Sequence, residues 1–501
     1  MDTTVVIAGA GPTGLMLACE LGLAGVPTVV LESSATPRDD APAVAINVGA
    51  VEQLDRRGLL EPLKRDATTL PLPRTHFALF PLDVERLGER YTNSLVVTQR
   101  DLSATLERRA VELGVTIRRD HRVVGLDQGD DAVRVTARTQ DGTAELTCRY
   151  LVGCDGTDSA VRELAGIPFP VVESPFYGLV GDFAGVAGDM PKEHLGYYHS
   201  PAGGMFMCLP IGPDTLRLMT AEFDRAPDDP ASAVTPEEAR ATVKRLSGTD
   251  PGPLTLRWMS RYRNLSGLAD AYRSGNVFLA GDSAHAMFPL NGQAITSGLH
   301  DAVNLGWKLA ATVHGWAAPD LLDTYDAERR PVGRRACVNI RAQVSLSEDP
   351  DRVAPLREVV SWLASFDQSN AALIEMVMGL DVDYAGPARP EEPARHALLG
   401  RALPPVPLKT AEGATDTARL NHSGHGVLLD LSGDSSTDWK IAGWRDRVDV
   451  VTAAPTPELP ARALLLRPDG HVAWVAPEHD ARASLHATLT RWFGAAAPTD
   501  R

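Results

Sequence analysis

The chain has 501 residues, of which 44% are hydrophobic and 23% are charged, and it carries a formal net charge of −16. This length is too great for one ordinary core and the composition is that of a soluble globular protein, so we expect two or three domains. The acidic balance argues against nucleic acid or an anionic membrane as a partner, and no apolar run has the length of a membrane span. The start of the chain lacks the pattern of a signal peptide and the five cysteines lack metal-ligand spacing, so we expect reduced thiols, no metal and a cytoplasmic location.

The N-terminal segment reads as a strand, a glycine-rich turn, a helix and a second strand. Apolar residues 5–8 run into the motif Gly-x-Gly-x-x-Gly, whose glycines are Gly9, Gly11 and Gly14. In such a unit the first glycine permits a tight turn, the second lets the backbone approach a pyrophosphate, and the third lets helix and strand pack closely. The helix N-terminus attracts phosphate, and Glu32 at the end of the second strand can accept hydrogen bonds from ribose hydroxyls. The segment therefore predicts binding of the ADP half of a dinucleotide.

Helix and strand patterns alternate along the next part of the chain. We predict a helix near 50–58, a β-like run at 94–98, an amphipathic helix that opens at Gln99, and strands at 122–126, 132–137 and 146–153. The last strand leads into a second motif, Cys154-Asp155-Gly156, which enters a helix. Asp155 can cap that helix or hold a polar ligand, and Arg162 can meet an anionic cofactor. By itself this motif is weak, since an Asp-Gly pair commonly caps a helix.

The segment from about 171 to 269 differs in character, because short apolar runs are separated there by Gly and Pro. We interpret 205–209 and 216–219 as strands of a sheet. One helix, from Thr235 to about 246, interrupts them, with an N-cap, a proline and acidic residues at its start. This block reads as a substrate domain inserted into the nucleotide-binding domain.

A third motif follows an apolar strand at 276–280. Gly281-Asp282 stands at the strand end and precedes a long helical region that reaches about residue 345. Asp282 can accept hydrogen bonds from a polyol such as a ribityl chain, and the N-terminus of the following helix can stabilise negative charge on a reduced flavin ring. Beyond this region a Pro-rich passage leads to a last segment, which contains a hairpin turned by Pro468-Asp469-Gly470.

Taken in order, the three motifs resemble those of the FAD-dependent aromatic hydroxylases, the group A flavin monooxygenases related to p-hydroxybenzoate hydroxylase. The similarity covers the whole chain and is greatest to the subgroup that acts on aromatic polyketides and to rifampicin monooxygenases. It implies an α/β (α+β multidomain) fold with a Rossmann-like FAD-binding domain, an inserted β-sheet substrate domain and a C-terminal thioredoxin-like domain. The implied bounds are 1–75, 99–170 and 270–385 for the FAD-binding domain, 76–98 and 171–269 for the substrate domain, 386–404 for a linker, and 405–501 for the thioredoxin-like domain. Because that last domain has no cysteine, its implied role is structural or in assembly.

The resemblance also implies a set of cofactor-binding residues. Glu32 would bind the ADP half of FAD, Gln99 would open a helix beside the flavin, Asp155 would serve FAD and NAD(P)H together, and Asp282 would bind the ribityl chain. The full implied set is Gly9, Gly11, Pro12, Thr13, Gly14, Glu32, Gln99, Asp155, Asp282, Pro289, Gly292, Gln293, Ala294, Ile295 and Thr296.

The implied reaction centre is the flavin itself, so no side chain is assigned as catalytic. Residues 289–296 would wrap the isoalloxazine, and Pro289 and Gly292 would lie near it. The substrate pocket should draw on flat apolar side chains of the inserted domain, and our candidates are Tyr177, Tyr197, Phe206 and Trp258.

The implied activity is hydroxylation of an aromatic, polyketide-type secondary metabolite. NADPH or NADH would reduce FAD, O2 would add at flavin C4a, and the hydroperoxide would transfer one oxygen to an electron-rich ring. The protein would supply a dry pocket and orient the substrate. The partners implied are a small aromatic molecule and O2, and the chain would act as a monomer or homodimer.

Two departures from the family pattern bear on this expectation. Where the family usually reads Gly-Gly-Gln-Gly-Leu-Asn at the flavin pyrimidine edge, this chain reads Asn-Gly-Gln-Ala-Ile-Thr at 291–296. If the position of Ala294 needs φ > 0, alanine there costs on the order of 1 kcal/mol, and Thr296 retains one hydrogen-bond donor. Upstream of Glu52, the family arginine is missing around Pro42 and an Arg-Thr pair becomes Gly49-Ala50, unless Arg38 replaces the lost cation.

Three other readings stay open. A Baeyer–Villiger oxygenase uses the same scaffold, a plain flavin dehydrogenase consumes NADPH without incorporating oxygen, and a flavin-poor relative can serve as a non-redox cyclase, dehydratase or binding partner. His285 and His300 lie beside the third motif, and we expect both to pack or hydrogen-bond locally rather than act as acid or base.

Overall fold

The computed structural model describes residues 1–38, 42–185, 195–200, 202–223, 225–227, 229, 232–386, 395–433 and 438–498. The helices, numbered in chain order, are α1 Pro12–Leu23, α2 Val48–Asp55, α3 Leu60–Asp66, α4 Gln99–Glu112, α5 Ala160–Leu164, α6 Pro236–Ser247, α7 Gln293–Val313, α8 Asp323–Ser345, α9 Pro350–Ala364, α10 Asp367–Met378 and α11 Ala481–Phe493. No helix in these ranges is both long and apolar enough to cross a membrane.

The strands, numbered in the same way, are β1 Val5–Ala8, β2 Thr28–Leu31, β3 Ala45–Ile46, β4 Leu70–Pro71, β5 Thr75–Phe77, β6 Phe80–Leu82, β7 Leu95–Val96, β8 Thr116–Arg118, β9 Arg122–Gln128, β10 Val133–Thr139, β11 Gly142–Cys148, β12 Tyr150–Gly153, β13 Val171–Glu173, β14 Phe176–Ala184, β15 Gly196–His199, β16 Met205–Gly212, β17 Thr215–Phe223, β18 Leu256–Tyr262, β19 Leu265–Leu268, β20 Arg273–Ser274, β21 Val277–Leu279, β22 His285–Ala286, β23 Pro407–Thr410, β24 Gly413–Asp416, β25 Gly426–Asp430, β26 Val448–Thr452, β27 Ala463–Leu466 and β28 Val472–Val475.

A six-stranded sheet of order β20-β21-β12-β1-β2-β8 forms the centre of the nucleotide-binding part. Every neighbour pair except β20–β21 is parallel. Strands β1 and β2 are buried along their whole length, and their core also contains residues of α1, α4, α7 and the β9–β10–β11 sheet. The carboxyl ends of β1, β2, β12 and β21 therefore lie side by side, where open α/β sheets bind ligands. We call the turns that follow these four strands the carboxyl edge.

A five-stranded antiparallel sheet of order β15-β16-β17-β14-β18 is built from the segment we read as the substrate domain. Alternation along β16 sends Phe206 into a core shared with Val243 and Leu246 of α6, and Met205 into a core shared with Phe288 on the opposite face. Helix α6 begins as its sequence predicts, since the Thr235 hydroxyl accepts a hydrogen bond from the Glu238 amide. The face that carries Met205 is therefore the one turned toward the chain segment of the third motif.

The C-terminal segment forms a mixed sheet of order β26-β25-β27-β28, which packs with α11 around its own core. Its β27–β28 hairpin docks on the rest of the chain through buried ion pairs. Arg467 in this turn binds both carboxylate oxygens of Glu328 on α8, at 2.6 and 2.9 Å. Arg57, just after α2, binds Glu20 of α1 and also donates to the Pro468 carbonyl. Removing Arg57 would leave the buried Glu20 carboxylate without its charge partner, whereas Glu328 also pairs with Lys308 at 2.7 Å.

Two elements differ from the sequence prediction. The strand predicted at 146–153 is two strands, because β11 pairs with β10 whereas β12 joins β1, and the chain changes sheet at Arg149. The helical region also continues beyond residue 345 into α9 and α10. The predicted domain bounds remain predictions.

Candidate functional site

The glycine-rich turn after β1 brings the N-terminus of α1 to the carboxyl edge. Gly9 has φ +104°, and a Cβ there would lie 2.3 Å from the Cys154 carbonyl oxygen; a Cβ on Gly14 would lie 2.1 Å from the Gly9 carbonyl oxygen. These contacts allow only glycine at both positions. A Cβ on Gly11 would meet nothing within 4 Å, and the first turn of α1 holds Pro12 and no acidic side chain. The amides of this turn therefore face open space with a partial positive charge, which suits a phosphate group.

Glu32 and Gln99 also reach the carboxyl edge. The Glu32 carboxylate accepts hydrogen bonds from the amides of Ala10 and Ser34, each at 2.8 Å. It therefore fixes the glycine-rich turn while its side chain remains half-buried. Gln99 is the first residue of α4, and its half-buried side chain follows the N-cap residue Thr98.

Asp155 is engaged at the start of α5. Its carboxylate accepts hydrogen bonds from the Ser159 hydroxyl and the Val161 amide, and burial raises the pKa of its carboxyl above the ordinary value. The Arg162 guanidinium donates to the carbonyls of Ser283 and Thr157. The second motif is thus tied directly to the third, and this arginine is used within the protein.

Asp282 stands exposed on the carboxyl edge. Desolvation by the surrounding protein raises the pKa of its carboxyl. The charge of His285 lowers that pKa, and the charge of Asp301 raises it by a smaller amount. The turn that carries Asp282 is held by the buried Asp301 carboxylate, which accepts a hydrogen bond from the Gly281 amide at 3.1 Å. Arg329 donates to the other oxygen of Asp301 at 2.6 Å.

Asp301 is ionised although it is fully buried. Burial by itself would raise the pKa of its carboxyl, but Arg329 and His285 lower it below the ordinary value. No local pattern in the sequence predicts this contact, because the ion pair joins α7 to α8.

The loop that enters α7 corrects our expectation about the family glycines. Ala294 lies within the first turn of α7, so its backbone is helical and carries no strain. The left-handed residues are Asn291, with φ +56°, and Gly292, with φ +62°. Asparagine tolerates this conformation better than most residues, and Asn47 holds it by donating to the Asn291 carbonyl at 2.6 Å. The substitution that needs compensation is therefore Asn291.

The side chains of the next turn divide between two faces. Pro289 is exposed, and Ala294 and Ile295 are half-buried. Gln293 and Thr296 are buried on the other side. The Thr296 hydroxyl donates to the Gly292 carbonyl at 3.0 Å, so the donor that we expected it to offer is already used.

The segment before Glu52 shows why the Arg-Thr pair is absent. A Cβ on Gly49 would lie 2.6 Å from the Met378 carbonyl oxygen at the end of α10, so the fold leaves no room for an arginine. Near Pro42, the buried guanidinium of Arg217 donates to the Pro42 carbonyl. Arg217 also pairs with Asp182 through two hydrogen bonds, so its charge is already compensated.

The predicted substrate residues fall in different places. Tyr177 contacts Glu238, Trp258 donates to Asp182 at 2.8 Å, and the Phe206 ring packs against Tyr198. Tyr197 lies in a small apolar pocket with a volume of about 10 Å³, which Phe206 also borders. Its lining residues are Tyr197, Met205, Phe206, Met207, Met219, Thr220, Ala221, Tyr262, Phe288 and Leu290.

Sequence reasoning missed Tyr262 and Phe288. Phe288 lines this pocket one residue before the exposed Pro289. The order Phe288-Pro289 next to the third motif was the available signal.

Both histidines beside the third motif make hydrogen bonds within the protein. His285 pairs with Asp301 at 2.7 Å. His300 bonds the Gly49 carbonyl at 3.0 Å, and burial lowers the pKa of His300 to about 3. Among the residues with described positions, no cluster of three or more His, Cys, Asp or Glu side chains could hold a metal ion.

Known families match almost the whole chain. Residues 2–339 match the family described as FAD binding domain, and residues 396–496 match that described as aromatic-ring hydroxylase, C-terminal. The chain belongs to the FAD-dependent aromatic-ring hydroxylases. The fold, with its glycine-rich turn, carboxyl edge and C-terminal sheet, is that of this family.

Two relatives from Streptomyces span the whole chain. A dialkyldecalin synthase of Streptomyces rugosporus is 45% identical over 502 residues, which cover 99% of this chain and 100% of the relative. A 12-dehydrotetracycline 5-monooxygenase/anhydrotetracycline 6-monooxygenase of Streptomyces rimosus is 40% identical over 505 residues, which cover 99% of each chain. The structure of the Diels-Alderase PyrE3 of pyrroindomycin biosynthesis matches with a TM-score of 0.87 at 44% identity, over 99% of this chain and 100% of that one. The family thus includes both oxygenases and ring-forming enzymes.

Proposed function

We propose that the carboxyl edge binds FAD. The amides of the glycine-rich turn would hold the pyrophosphate, Glu32 the ADP ribose and Asp282 the ribityl chain, with the remaining predicted residues around them. Support comes from the open space at Gly11, the exposed Asp282 and the absence of acidic side chains in the first turns of α1 and α7. The departures at Ala294 and Gly49 do not argue against it, because neither residue crowds this edge.

We infer that the protein is an FAD-dependent monooxygenase, which uses NADPH or NADH and O2 to hydroxylate an aromatic, polyketide-type secondary metabolite. When bound, FAD supplies the redox and oxygen chemistry that no amino-acid side chain provides. The observation that carries the proposal is the 40% identity, over 99% of each chain, to a 12-dehydrotetracycline 5-monooxygenase/anhydrotetracycline 6-monooxygenase.

The protein's own contribution would be exclusion of water and placement of charge. The aromatic side chains around this pocket would keep solvent from the reacting atoms, and Tyr197, Tyr262 and Phe288 would offer flat surfaces to an aromatic substrate. The N-terminus of α7 points a partial positive charge at the cofactor edge, where it would stabilise negative charge on the reduced cofactor. No side chain of the pocket is needed as an acid or base.

Incorporation of labelled oxygen tests this proposal. The FAD-loaded protein is incubated with NADPH, oxygen-18 gas and a panel of tetracyclic and angucycline-type aromatic polyketides, and products are analysed by mass spectrometry. The proposal predicts a product that carries one oxygen-18 atom. Oxidation of NADPH with no labelled product from any compound would contradict it.

A second candidate, non-redox ring closure, is favoured by one observation, the 45% identity to a dialkyldecalin synthase. On this reading FAD would bind as a structural element, and the apolar pocket would fold a linear polyene for cyclisation. The product would then have the same mass as the substrate and form without NADPH. A linear polyketide polyene incubated anaerobically with the FAD-loaded protein separates the two functions, since only ring closure proceeds there.

A further inference from the structure

Helix α9 has two apolar sides, and the described protein covers one of them. Val360 and Ala364 pack against the core that the β5–β6 hairpin and α10 share. Large apolar side chains lie exposed on another side, at the spacing that places residues on one helix face. They are Leu356 (56% exposed), Val359 (49%), Trp362 (61%), Leu363 (44%) and, just after the helix, Phe366 (48%). We call these five residues the α9 patch.

The α9 patch is continuous and carries little charge. The rings of Trp362 and Phe366 contact each other, with 5.1 Å between their centroids. Residues 354–366, which the structure describes throughout, contain two charged side chains. Arg357 is turned inward, where it donates to the carbonyls of Ala78 and Leu346, so Glu358 is the charge left on the exposed side. The exposed fractions correspond to roughly 500 Å² of apolar surface, the size of a patch that marks an interaction site.

The rest of the chain does not supply a cover for the α9 patch. Outside the described ranges, the sequence contains Val186 and Met190 as its only large apolar residues. Two such side chains are too few to cover the five of the patch. The surface that covers it therefore comes from another molecule.

A second copy of this chain offers a surface of matching size and character. Two patches brought face to face would remove about 1,000 Å² of apolar surface from water, which is the size at which a specific interface becomes stable. Arg352 lies at the N-terminal end of the patch and Asp367 at its C-terminal end, each in a local ion pair, with Asp349 at 3.4 Å and with Arg86 at 2.9 Å. An apolar centre with a charged rim is the usual composition of a protein interface.

The positions of these charges favour one arrangement of the two copies. If a two-fold axis passes through the middle of the patch, perpendicular to α9, the two helices run antiparallel and every contact occurs twice. Arg352 of one copy then lies beside Asp367 of the other, so opposite charges meet at both ends. A membrane is a poorer match for the patch, because the net charge of −16 repels anionic lipid.

We propose that the α9 patch is the interface of a two-fold symmetric homodimer, in which the α9 helices of the two copies pack antiparallel with Val359 near the axis. The apolar side chains supply the contact area, and the pairs of Arg352 with Asp367 set the orientation. This assembly is independent of the reaction that the protein catalyses.

Sedimentation velocity of the FAD-loaded full chain, from low to high micromolar concentration, measures the assembly. Val359→Glu places a charge at the centre of the patch. Val111→Glu is the matched control, because Val111 is exposed to a similar extent (55%) on α4, outside the patch. FAD content and melting temperature are recorded for every protein.

We expect the unmodified protein to sediment with the mass of two chains at high micromolar concentration. Val359→Glu should raise the dissociation constant of the dimer at least about 10-fold, because the interface would bury two like charges without partners. Val111→Glu should leave that constant unchanged. Arg352→Glu and Asp367→Arg should each weaken the dimer, and the double variant should recover part of the loss, since it restores opposite charges at both ends.

Cross-linking measures the geometry of the contact separately. All five native cysteines are buried, so a cysteine introduced on the surface reacts alone. Val359→Cys should form a disulfide with the same residue of the second copy on mild oxidation, which requires Cα atoms within about 7 Å of each other. Val111→Cys should remain without a cross-link.

A monomer at every concentration would overturn the proposal. A dimer that Val359→Glu leaves intact and that Val359→Cys does not cross-link would overturn it as well, because the interface would then lie elsewhere. A monomer that sediments with phosphatidylcholine vesicles would also contradict it, since the patch would then bind a membrane.

Discussion

Replacing Arg329 by methionine removes the main charge partner of the buried Asp301 carboxylate. Both side chains are fully buried, and the guanidinium donates to Asp301 at 2.6 Å and to the Ser297 carbonyl at 3.1 Å. Breaking a buried ion pair by removing one partner costs about 3–5 kcal/mol, because the remaining charge is left uncompensated. For the roughly 340 residues of the FAD-binding match, this corresponds to a fall in melting temperature of about 4–7 °C.

The pKa of Asp301 determines how the free energy of unfolding changes with pH in the two proteins. The folded pKa of Asp301 lies below its unfolded value, so its contribution to stability is present above the unfolded pKa and is lost as pH falls through the folded pKa. In Arg329→Met the main group that lowers the Asp301 pKa is gone, so burial raises that pKa. Protonation of Asp301 on acidification then removes the uncompensated buried charge from the variant. The difference in free energy of unfolding between the two proteins should therefore shrink from pH 7 toward pH 4.5.

The assay is thermal and urea unfolding of the purified protein, with FAD content measured in parallel. FAD content should fall in the variant, because Asp301 holds the Gly281 amide and with it the turn of Asp282. Arg240→Met, which removes an exposed partner of Asp250, is the control and should leave the melting temperature unchanged. The double variant Asp301→Asn/Arg329→Met should lose less than the two single variants added together. A loss below about 1 kcal/mol in Arg329→Met, or a loss that does not vary with pH, would refute the reasoning.

Three further predictions follow from other positions. Gly14→Ala should abolish FAD binding in a fluorescence titration, because its Cβ would lie 2.1 Å from the Gly9 carbonyl oxygen, whereas Gly129→Ala, with its nearest contact at 3.6 Å, should bind normally. Ala294→Gly, which restores the family residue, should lower the free energy of unfolding by up to about 1 kcal/mol without tightening FAD binding; a tighter complex would mean that the methyl group crowds the cofactor. Burial lowers the pKa of Lys308 to about 8. Between about pH 8 and 10.4 the unfolded chain therefore binds more protons at this lysine than the folded protein does, and the free energy of unfolding should rise with pH. Lys308→Met should flatten that rise in urea titrations, and an unaltered slope would show that the lysine is not desolvated as the structure indicates.

The parts of the site that depend on local geometry could be predicted from the sequence. Gly9 and Gly14 were identified because a strand, a tight turn and a helix leave no room for a side chain, and the structure has both contacts. The position of Asp282 at a strand end followed from the same kind of local pattern. Helix α6 began at its predicted cap for the same reason.

The parts that depend on contacts between distant segments could not be predicted. The residue types at 291–296 do not show where α7 begins, so the sequence leaves open whether Ala294 needs φ > 0, whereas the structure gives the left-handed backbone to Asn291 and Gly292. The contact of Tyr177 with Glu238 on α6, 61 residues away, has no signal in the local sequence.

The central claim, an FAD-dependent monooxygenase, is tested most directly by the absorbance spectrum of the purified protein loaded with FAD and desalted, then mixed anaerobically with excess NADPH and finally with air. We predict flavin bands that stay with the protein, bleach with NADPH and return with oxygen. Bands that stay with the protein but never bleach would contradict the oxygenase and support ring closure. A colourless protein that takes up no FAD would contradict the cofactor assignment itself.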